Sequence, residues 1–322
     1  MGTREEEQLT ILKHFFMCFT VAVGLTANVT GLFAIPNMKI NFPATRLLLS
    51  TQFSTDILGC LVSFAYWTSF NVKIPPELLN GSAFSYLWTS YCLCGVVGQI
   101  SSQNMMLLSI DRYWAVVGFR TYPRNSKFYR FGSVIISGVI AVVLFLPLAI
   151  ISYYRTHLEL IGLNTLIACM RFQALLMLLA GFIIPGLVIS ALQIRILLML
   201  WRMRRTPRTI APTGSTEEST ERNSLNQSMK GISLGIAFML VVFITARSTH
   251  FFLYILKAFT MNQLLPVEEW KTDGVFSFST TFCLNPIVMI FTSPAARKWL
   301  FDKFVVPILR CFYLTSRNAA SK

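Results

Sequence analysis

Seven long apolar runs, separated by short polar stretches, dominate the 322-residue chain. Each run exceeds the roughly 20 residues that an α-helix needs to cross about 30 Å of hydrocarbon. This pattern is typical of repeated membrane crossings rather than of one large soluble core. The predicted spans cover residues 9–34, 44–70, 86–117, 129–152, 172–201, 228–258 and 270–291.

The composition excludes a soluble globular protein. Of the residues, 13% are charged and 54% are hydrophobic, whereas about a quarter of a soluble domain is charged. We therefore predict an all-α membrane protein, a bundle of seven transmembrane helices. The first run follows an acidic cluster at residues 5–7 and lacks a cleavage site, so we interpret it as a retained helix rather than a signal peptide.

The basic residues fall mainly on one side of the predicted membrane. With the N-terminus outside, the loops that contain Lys39, Arg120 and Arg208 lie in the cytoplasm, together with the basic tail. The outer loops carry fewer bases, diluted by acids. This asymmetry follows the positive-inside rule. The net charge of +14 then faces anionic membrane lipid and an intracellular partner, not nucleic acid.

Three segments follow from this topology: a short extracellular N-terminus at residues 1–8, a transmembrane domain at 9–292 and a cytoplasmic tail at 293–322. Residues 206–227 contain too few apolar side chains to fold and are predicted to form a flexible cytoplasmic loop, either a kinase target or a soluble linker. The tail begins with a short amphipathic helix on the inner leaflet, with Ser293 as its N-cap.

Two residues are candidate sites of modification. Asn80 belongs to an Asn-Gly-Ser sequon in a predicted outer loop, where glycosylation takes place. Cys311 follows the amphipathic helix, and both palmitoylation and a free thiol suit that position. Since no second domain is visible, we expect a ligand to bind within the bundle or its outer loops.

The third run ends in Asp111-Arg112-Tyr113, which a basic loop follows. Counting back from Arg112 in helical steps gives one inward stripe of residues: Leu108, Met105, Ser101, Gly98 and Cys94. Further residues fall in order along the other runs: Asn28, Asp56, Pro185 and Asn285-Pro286. Together they resemble the rhodopsin-like (class A) G-protein-coupled receptors over almost the whole chain.

The resemblance implies a plasma-membrane receptor whose partners are an extracellular ligand, a heterotrimeric G protein, arrestin and a receptor kinase. Arg112, between Asp111 and Tyr113, would contact the G protein when the sixth helix moves outward, and Asp111 would be its neighbour in the resting state. The family joins the outer end of the third helix to the second outer loop by a disulfide, for which Cys92 and Cys169 are favoured here.

Asp56 is a carboxylate in the middle of an apolar run, which makes it a candidate functional group. The resemblance places Ser101 and Asn285 opposite it, and hard oxygen ligands suit a sodium ion. A protonated Asp56 that is hydrogen-bonded to Asn285 is the alternative. Both interpretations remain open from the sequence, and no other cofactor or metal is expected.

Several residues depart from the family pattern. Residues 246–249 read Ala-Arg-Ser-Thr where the family usually has Cys-Trp-x-Pro. In the seventh run Met289 follows Asn285-Pro286 in place of the usual Tyr, and Gln193 replaces the usual Tyr of the fifth run. Activation must therefore use other contacts, or be weak.

The inward-facing residues restrict the ligand. Cys94 stands where amine receptors have an Asp, and Ser279 where opsins have a Lys, so neither a biogenic amine nor retinal is expected. Arg247, with His250 one turn outward, favours an anionic group such as a peptide carboxylate. An internal contact of Arg247 with Asp56 or a backbone carbonyl is the alternative. The predicted pocket comprises Cys94, Gly98, Arg247 and His250.

Three other classes were weighed against a signalling receptor. A receptor-like protein with weak or no G-protein signalling is compatible with the missing Trp, Pro and Tyr residues. A transporter is less favoured, because no internal repeat is apparent and intramembrane charges are few. An enzyme is not expected, since His14, His157 and His250 lie on separate segments without metal-ligand spacing.

Overall fold

The computed structural model describes residues 2–38, 40, 42–71, 83–123, 126–205, 216–260 and 267–307. Over these ranges the backbone is almost entirely helical and contains no β-strand. The predicted all-α membrane fold is confirmed.

The described helices follow one another as α1 Gly2–Ala34, α2 Pro43–Asn71, α3 Ala83–Thr89, α4 Cys92–Val116, α5 Lys127–Thr156, α6 Leu163–Leu176, α7 Ile184–Arg205, α8 Thr216–Thr260, α9 Val267–Thr292 and α10 Pro294–Leu300. A π-helical segment, Met177–Ile183, joins α6 to α7, so these two helices form one span. A second π-helical segment, Phe301–Val305, follows α10.

Within the described ranges, six spans are long and apolar enough to cross a membrane: Ile11–Asn37, Pro43–Ser69, Lys127–Thr156, Leu163–Met199, Lys230–Phe259 and Gly274–Thr292. The seventh, α4, has 25 residues and a run of buried polar side chains at residues 101–104. It packs against α2, α5, α7 and α8, so protein rather than lipid surrounds its polar face. The polarity of α4 follows from its central place in the bundle.

The helix ends differ from the predicted spans in three places. The predicted run 86–117 is interrupted at Tyr91, whose φ of 67° lies in the left-handed region. The fifth span begins at Leu163 instead of residue 172. Helix α8 begins at Thr216, so the backbone of residues 216–227, predicted as flexible loop, is helical. A membrane helix that is already nucleated can extend through polar residues, because propagation costs far less than nucleation.

Two glycines allow aromatic rings to lie against the backbone of α4. A Cβ at Gly95 would lie 1.9 Å from the Phe145 ring of α5, and a Cβ at Gly98 would lie 1.8 Å from the Phe278 ring of α9. No larger residue fits at either position without a shift of the ring. The inner stripe of α4 therefore meets α8 and α9 at short range.

The predicted amphipathic helix after the seventh span corresponds to α10. Ser293 Oγ accepts a hydrogen bond from the Ala296 amide at 3.4 Å, and Pro294 occupies the first turn. Trp299 and Leu300 pack against the apolar core, whereas Arg297 and Lys298 are exposed. The predicted cap and the two faces of this helix are confirmed.

Candidate functional site

Asp111 and Arg112 form a buried ion pair at the C-terminal end of α4. Arg112 Nη2 lies 2.7 Å from Asp111 Oδ2, and both side chains are almost completely buried. The guanidinium also lies 5.2 Å from the centre of the Phe42 ring. Tyr113 is half-buried beside the pair. Because a buried charge is costly unless it is paired, this contact holds Arg112 inside the bundle.

Two residues that the sequence did not single out complete the surroundings of this pair. Thr45, at the start of α2, hydrogen-bonds both the Asp111 carboxylate and the Arg112 guanidinium. Tyr122, in the loop after α4, donates to Asp111 Oδ1 at 2.6 Å, with Tyr129 at 3.4 Å from the same oxygen. Burial, together with the neighbouring carboxylate, raises the pKa of the Tyr122 phenol above its ordinary value, so it stays a donor.

A second polar cluster joins α2 to α4 and α9 around Asp56. Ser101 Oγ donates to Asp56 Oδ1 at 2.7 Å, as predicted, and the Asn285 side chain lies beside the same carboxylate. Gln52 Nε2 lies 3.1 Å from each carboxylate oxygen. Asn104 donates to Gln52 Oε1 at 2.8 Å and so orients this amide. The cluster is fully buried.

The surroundings of Asp56 do not fit a sodium ion in this arrangement. An ion requires oxygen ligands, but Gln52 Nε2 presents N–H groups to both carboxylate oxygens and lies 2.7 Å from Ser101 Oγ. The buried Asn285 Oδ1, which has no partner among the described residues, is the oxygen that best suits a cation. The geometry therefore favours the hydrogen-bonded interpretation of Asp56 over the sodium interpretation.

Arg247 forms the third polar contact, between α8 and α4. Its Nη2 donates to the Gly98 carbonyl at 2.9 Å and lies 3.2 Å from Ser102 Oγ. The guanidinium carbon stacks 3.6 Å from the centre of the Phe278 ring. The side chain is 1% exposed, and its Nε has no partner in the described part of the chain. Of the two alternatives weighed for Arg247, an internal contact with a backbone carbonyl is the one observed.

The four predicted pocket residues lie close together, but their side chains are packed in the interior of the bundle and do not line an open pocket. Cys94 contacts Ser63 Oγ at 3.5 Å, and the ring centres of His250 and Phe278 are 5.7 Å apart. Cys94, Arg247 and His250 are each at most 3% exposed and Gly98 is buried, so no open pocket reaches these four residues in this conformation. A cavity of about 80 Å³ lies nearer the end of the bundle opposite Arg112, where Arg155, Tyr254 and Lys257 contribute to its wall.

Comparison with known proteins decides the family. The profile of the 7 transmembrane receptor (rhodopsin family) matches residues 36–289, most of the chain. This chain belongs to that family. It is also similar to the CX3C chemokine receptor 1 of Homo sapiens, with 22% identity over 309 residues that cover 92% of this chain and 78% of the relative.

Membership of the rhodopsin family confirms the resemblance that was predicted from Arg112, Asp56 and Asn285-Pro286.

The disulfide that is usual in the family is not formed here. The predicted disulfide between Cys92 and Cys169 is wrong, because both cysteines are free. Cys92 is buried in an apolar cluster between α4, α5 and the π-helical segment. Cys169 lies on an exposed face of α6, since this helix begins at Leu163 and takes Cys169 out of the outer loop.

Two sequence-predicted sites of this family member, Asn80 and Cys311, lie outside the described residues. Among those described, Met289 is buried in the core at the inner end of the bundle. Gln193, which replaces the usual Tyr, donates to Ser109 Oγ at 3.2 Å and links α7 to α4. Gln52 and Thr45 were missed because a polar residue in an apolar run does not reveal which neighbour its helix faces.

Proposed function

We propose that this chain is a G-protein-coupled receptor of the plasma membrane that binds an extracellular ligand and activates an intracellular G protein. The observation that carries the proposal is the buried Asp111–Arg112 pair. A permanently buried ion pair contributes little to stability compared with apolar packing, so its use is best explained by a second state in which Arg112 is released. We propose that the N-terminus lies outside the cell and the Arg112 end of the bundle in the cytoplasm, because the basic loops gather at that end.

We propose that α8 moves away from α4 when Arg112 is released, as the family resemblance implies. Arg247 opposes that movement, because its guanidinium joins the backbone of α4 to the Phe278 ring of α9. A ligand that binds toward the opposite end shifts the equilibrium if it favours a rearranged Arg247. In this receptor Arg247 thus takes the place of the usual Trp as the residue that couples the outer half of the bundle to the inner half.

We propose a ligand with an anionic group, such as the carboxylate of a peptide. The cavity near the outer end has Arg155 and Lys257 in its wall, and a carboxylate suits both side chains. The similarity to a receptor named for a chemokine supports a polypeptide ligand. Arrestin and a receptor kinase are proposed as further cytoplasmic partners, with hydroxyl groups at residues 206–227 as the kinase targets.

A G-protein dissociation assay against a library of peptides and small acids tests the proposal. We expect a ligand-dependent signal from the natural chain that Arg112→Ala abolishes at equal surface expression. Lys127→Ala is the matched control, because Lys127 is an exposed base at the same end of the bundle. A signal that survives Arg112→Ala would contradict the proposed role of the ion pair.

A receptor-like protein without G-protein signalling is the second candidate. The buried Met289 favours it, because a thioether cannot supply the hydroxyl group that the family's Tyr provides at this position. A silent natural chain at verified surface expression, tested against the whole library, would favour this candidate. A transporter is less favoured than either receptor candidate.

A further inference from the structure

Arg247 carries a buried positive charge in the middle of the bundle. Its side chain is 1% exposed, and no carboxylate forms an ion pair with it in the described part of the chain. Asp56 is an acid within electrostatic range of Arg247, but its oxygens accept hydrogen bonds from Ser101 and Gln52. Because a buried charge without a direct counter-charge is costly, a negatively charged partner would stabilise Arg247.

One N–H group of this guanidinium is left for such a partner. Nη2 is directed toward α4, where it donates to the Gly98 carbonyl and contacts Ser102 Oγ. Nε of Arg247 is buried and has no hydrogen-bond partner among the described residues. Buried donors without an acceptor are rare in folded proteins, because they lose their hydrogen bonds to water. An anion at Nε would therefore satisfy the donor and neutralise the charge together.

Several side chains near the guanidinium can donate hydrogen bonds. Residues within electrostatic range of Arg247 include Tyr91, Cys94 and His250. A phenol, a thiol and a neutral imidazole each carry one polar hydrogen. The centre of the Phe278 ring lies 3.6 Å from the guanidinium carbon, and 5.6 and 5.7 Å from the ring centres of Tyr91 and His250. A cation with donors around it suits an anion as its ligand.

Gly274 of α9 lets two of these polar atoms approach the same point of the backbone. A Cβ at this position would lie 3.0 Å from Tyr91 Oη and 2.8 Å from His250 Nδ1. Gly274 lies one helical turn before Phe278, the ring that the Arg247 guanidinium stacks on. The polar atoms of Tyr91 and His250 thus converge from two helices at a residue without a side chain, beside the cation.

A monatomic anion suits these surroundings better than the carboxylate of a ligand. Arg247, Tyr91 and His250 are each at most 3% exposed, and no open pocket reaches them. A carboxylate belongs to a larger molecule and needs an open path to the guanidinium. A chloride ion needs little more room than a water molecule, and single waters are regularly buried in protein interiors.

We propose that the bundle binds one chloride ion beside Arg247 Nε, with the Tyr91 hydroxyl and the His250 ring as further donors. The ion joins the start of α4 to α8, next to the hydrogen bond between Arg247 and the Gly98 carbonyl. It therefore stabilises the conformation in which these two helices are in contact. The inference goes beyond the proposed function, since this site binds neither the extracellular ligand nor the G protein.

The test is thermal unfolding of the purified full-length chain in detergent, in sodium chloride and in sodium methanesulfonate of equal ionic strength. Methanesulfonate is a monovalent anion that is too large for a site of this size. Chloride about ten-fold above its dissociation constant should raise the melting temperature by roughly 2–4 °C, and the rise should saturate. Equal melting temperatures in the two salts would overturn the proposal. The measurement needs neither a G protein nor a receptor ligand, so its failure is distinct from failure of the proposed function.

Three variants locate the ion. Arg247→Gln removes the charge and should abolish the rise in chloride. Tyr91→Phe removes only a hydroxyl group and should weaken chloride binding at least about ten-fold, because hydrogen bonds to charged groups are strong. Arg297→Gln is the matched control, since it makes the same change at an exposed base and should leave the rise unchanged. A rise of full size in Arg247→Gln, or unchanged chloride affinity in Tyr91→Phe, would contradict the proposal.

Formate distinguishes chloride from a carboxylate as the occupant. A melting temperature that rises in sodium formate but not in sodium chloride would assign Arg247 to a carboxylate and overturn the chloride proposal. Chloride nuclear magnetic resonance gives a direct measurement, because an ion that exchanges with a protein site has a broadened line. The natural chain should broaden the line and Tyr91→Phe should do so less. Equal broadening by the two chains would place the bound ion elsewhere, and the proposal would be wrong.

Discussion

Gly98 lies where the backbone of α4 meets both the Arg247 guanidinium and the Phe278 ring. A Cβ at this position would lie 1.8 Å from Phe278 Cε1 and 3.0 Å from Arg247 Nη2. The Gly98 carbonyl is in turn the acceptor of the 2.9 Å hydrogen bond from Arg247. At the scale of single residues, a glycine on α4 is therefore what allows an arginine on α8 to be buried.

Gly98→Ala should destabilise the chain by about 1–3 kcal/mol, because the new methyl group displaces the Phe278 ring from its contact. Thermal unfolding of the purified protein measures this. Gly138→Ala is the control, since a Cβ there would meet nothing within 4 Å and alanine favours the helix by up to about 1 kcal/mol. Recovery of stability in the double variant Gly98→Ala, Phe278→Leu would show that the clash with the Phe278 ring causes the destabilisation. Equal stability of the two alanine variants would contradict this account.

The Asp56 cluster acts at the scale of helices, because it connects α2, α4 and α9. Gln52 lies one turn before Asp56 on α2 and turns its amide nitrogen toward the carboxylate, while Asn104 on α4 holds the amide oxygen. The N–H groups of Gln52 therefore occupy the position beside the Asp56 carboxylate where a sodium ion would need an oxygen ligand.

The melting temperature of the natural chain should consequently be the same within about 1 °C in sodium and potassium chloride of equal concentration. Gln52→Ala should gain stabilisation by sodium, because it leaves the oxygens of Asp56, Ser101 and Asn285 without the competing amide. Asp56→Asn in the Gln52→Ala background should remove that gain. A sodium-dependent rise of several degrees in the natural chain would show that the ion displaces the amide.

Comparison of the predicted spans with the observed helices shows which features of the fold the sequence could predict. Apolar length predicted the six strongly apolar spans, and the motif residues predicted that Asp56 meets Ser101 and that Asp111 meets Arg112. The interruption at Tyr91 and the π-helical segment Met177–Ile183 depend on local hydrogen bonding that apolar periodicity does not encode. The disulfide prediction failed because it assumed that the second outer loop extends to Cys169, whereas α6 already includes it.

At the scale of the whole molecule, orientation remains a prediction drawn from charge. The bases gathered at the Arg112 end should lie in the cytoplasm, so the N-terminus and Asn80 should lie outside. An N-terminal epitope should then be accessible on intact cells, and a C-terminal one only after permeabilisation. Glycosidase treatment should increase the mobility of the natural chain but not of Asn80→Gln. A C-terminal epitope accessible on intact cells would reverse the orientation.

The central claim is that the bundle is in equilibrium between a state that holds Arg112 against Asp111 and a state that releases it. The direct measurement is ligand-free nucleotide exchange on a G protein by the chain reconstituted in a bilayer, with Asp111→Asn compared to the natural sequence. Loss of the charged partner 2.7 Å away should favour the released state and raise basal exchange about five- to thirty-fold, the equivalent of 1–2 kcal/mol. Adding Arg112→Ala to that variant should abolish the increase. Basal exchange that is unchanged in Asp111→Asn, at equal folded concentration, would contradict the account.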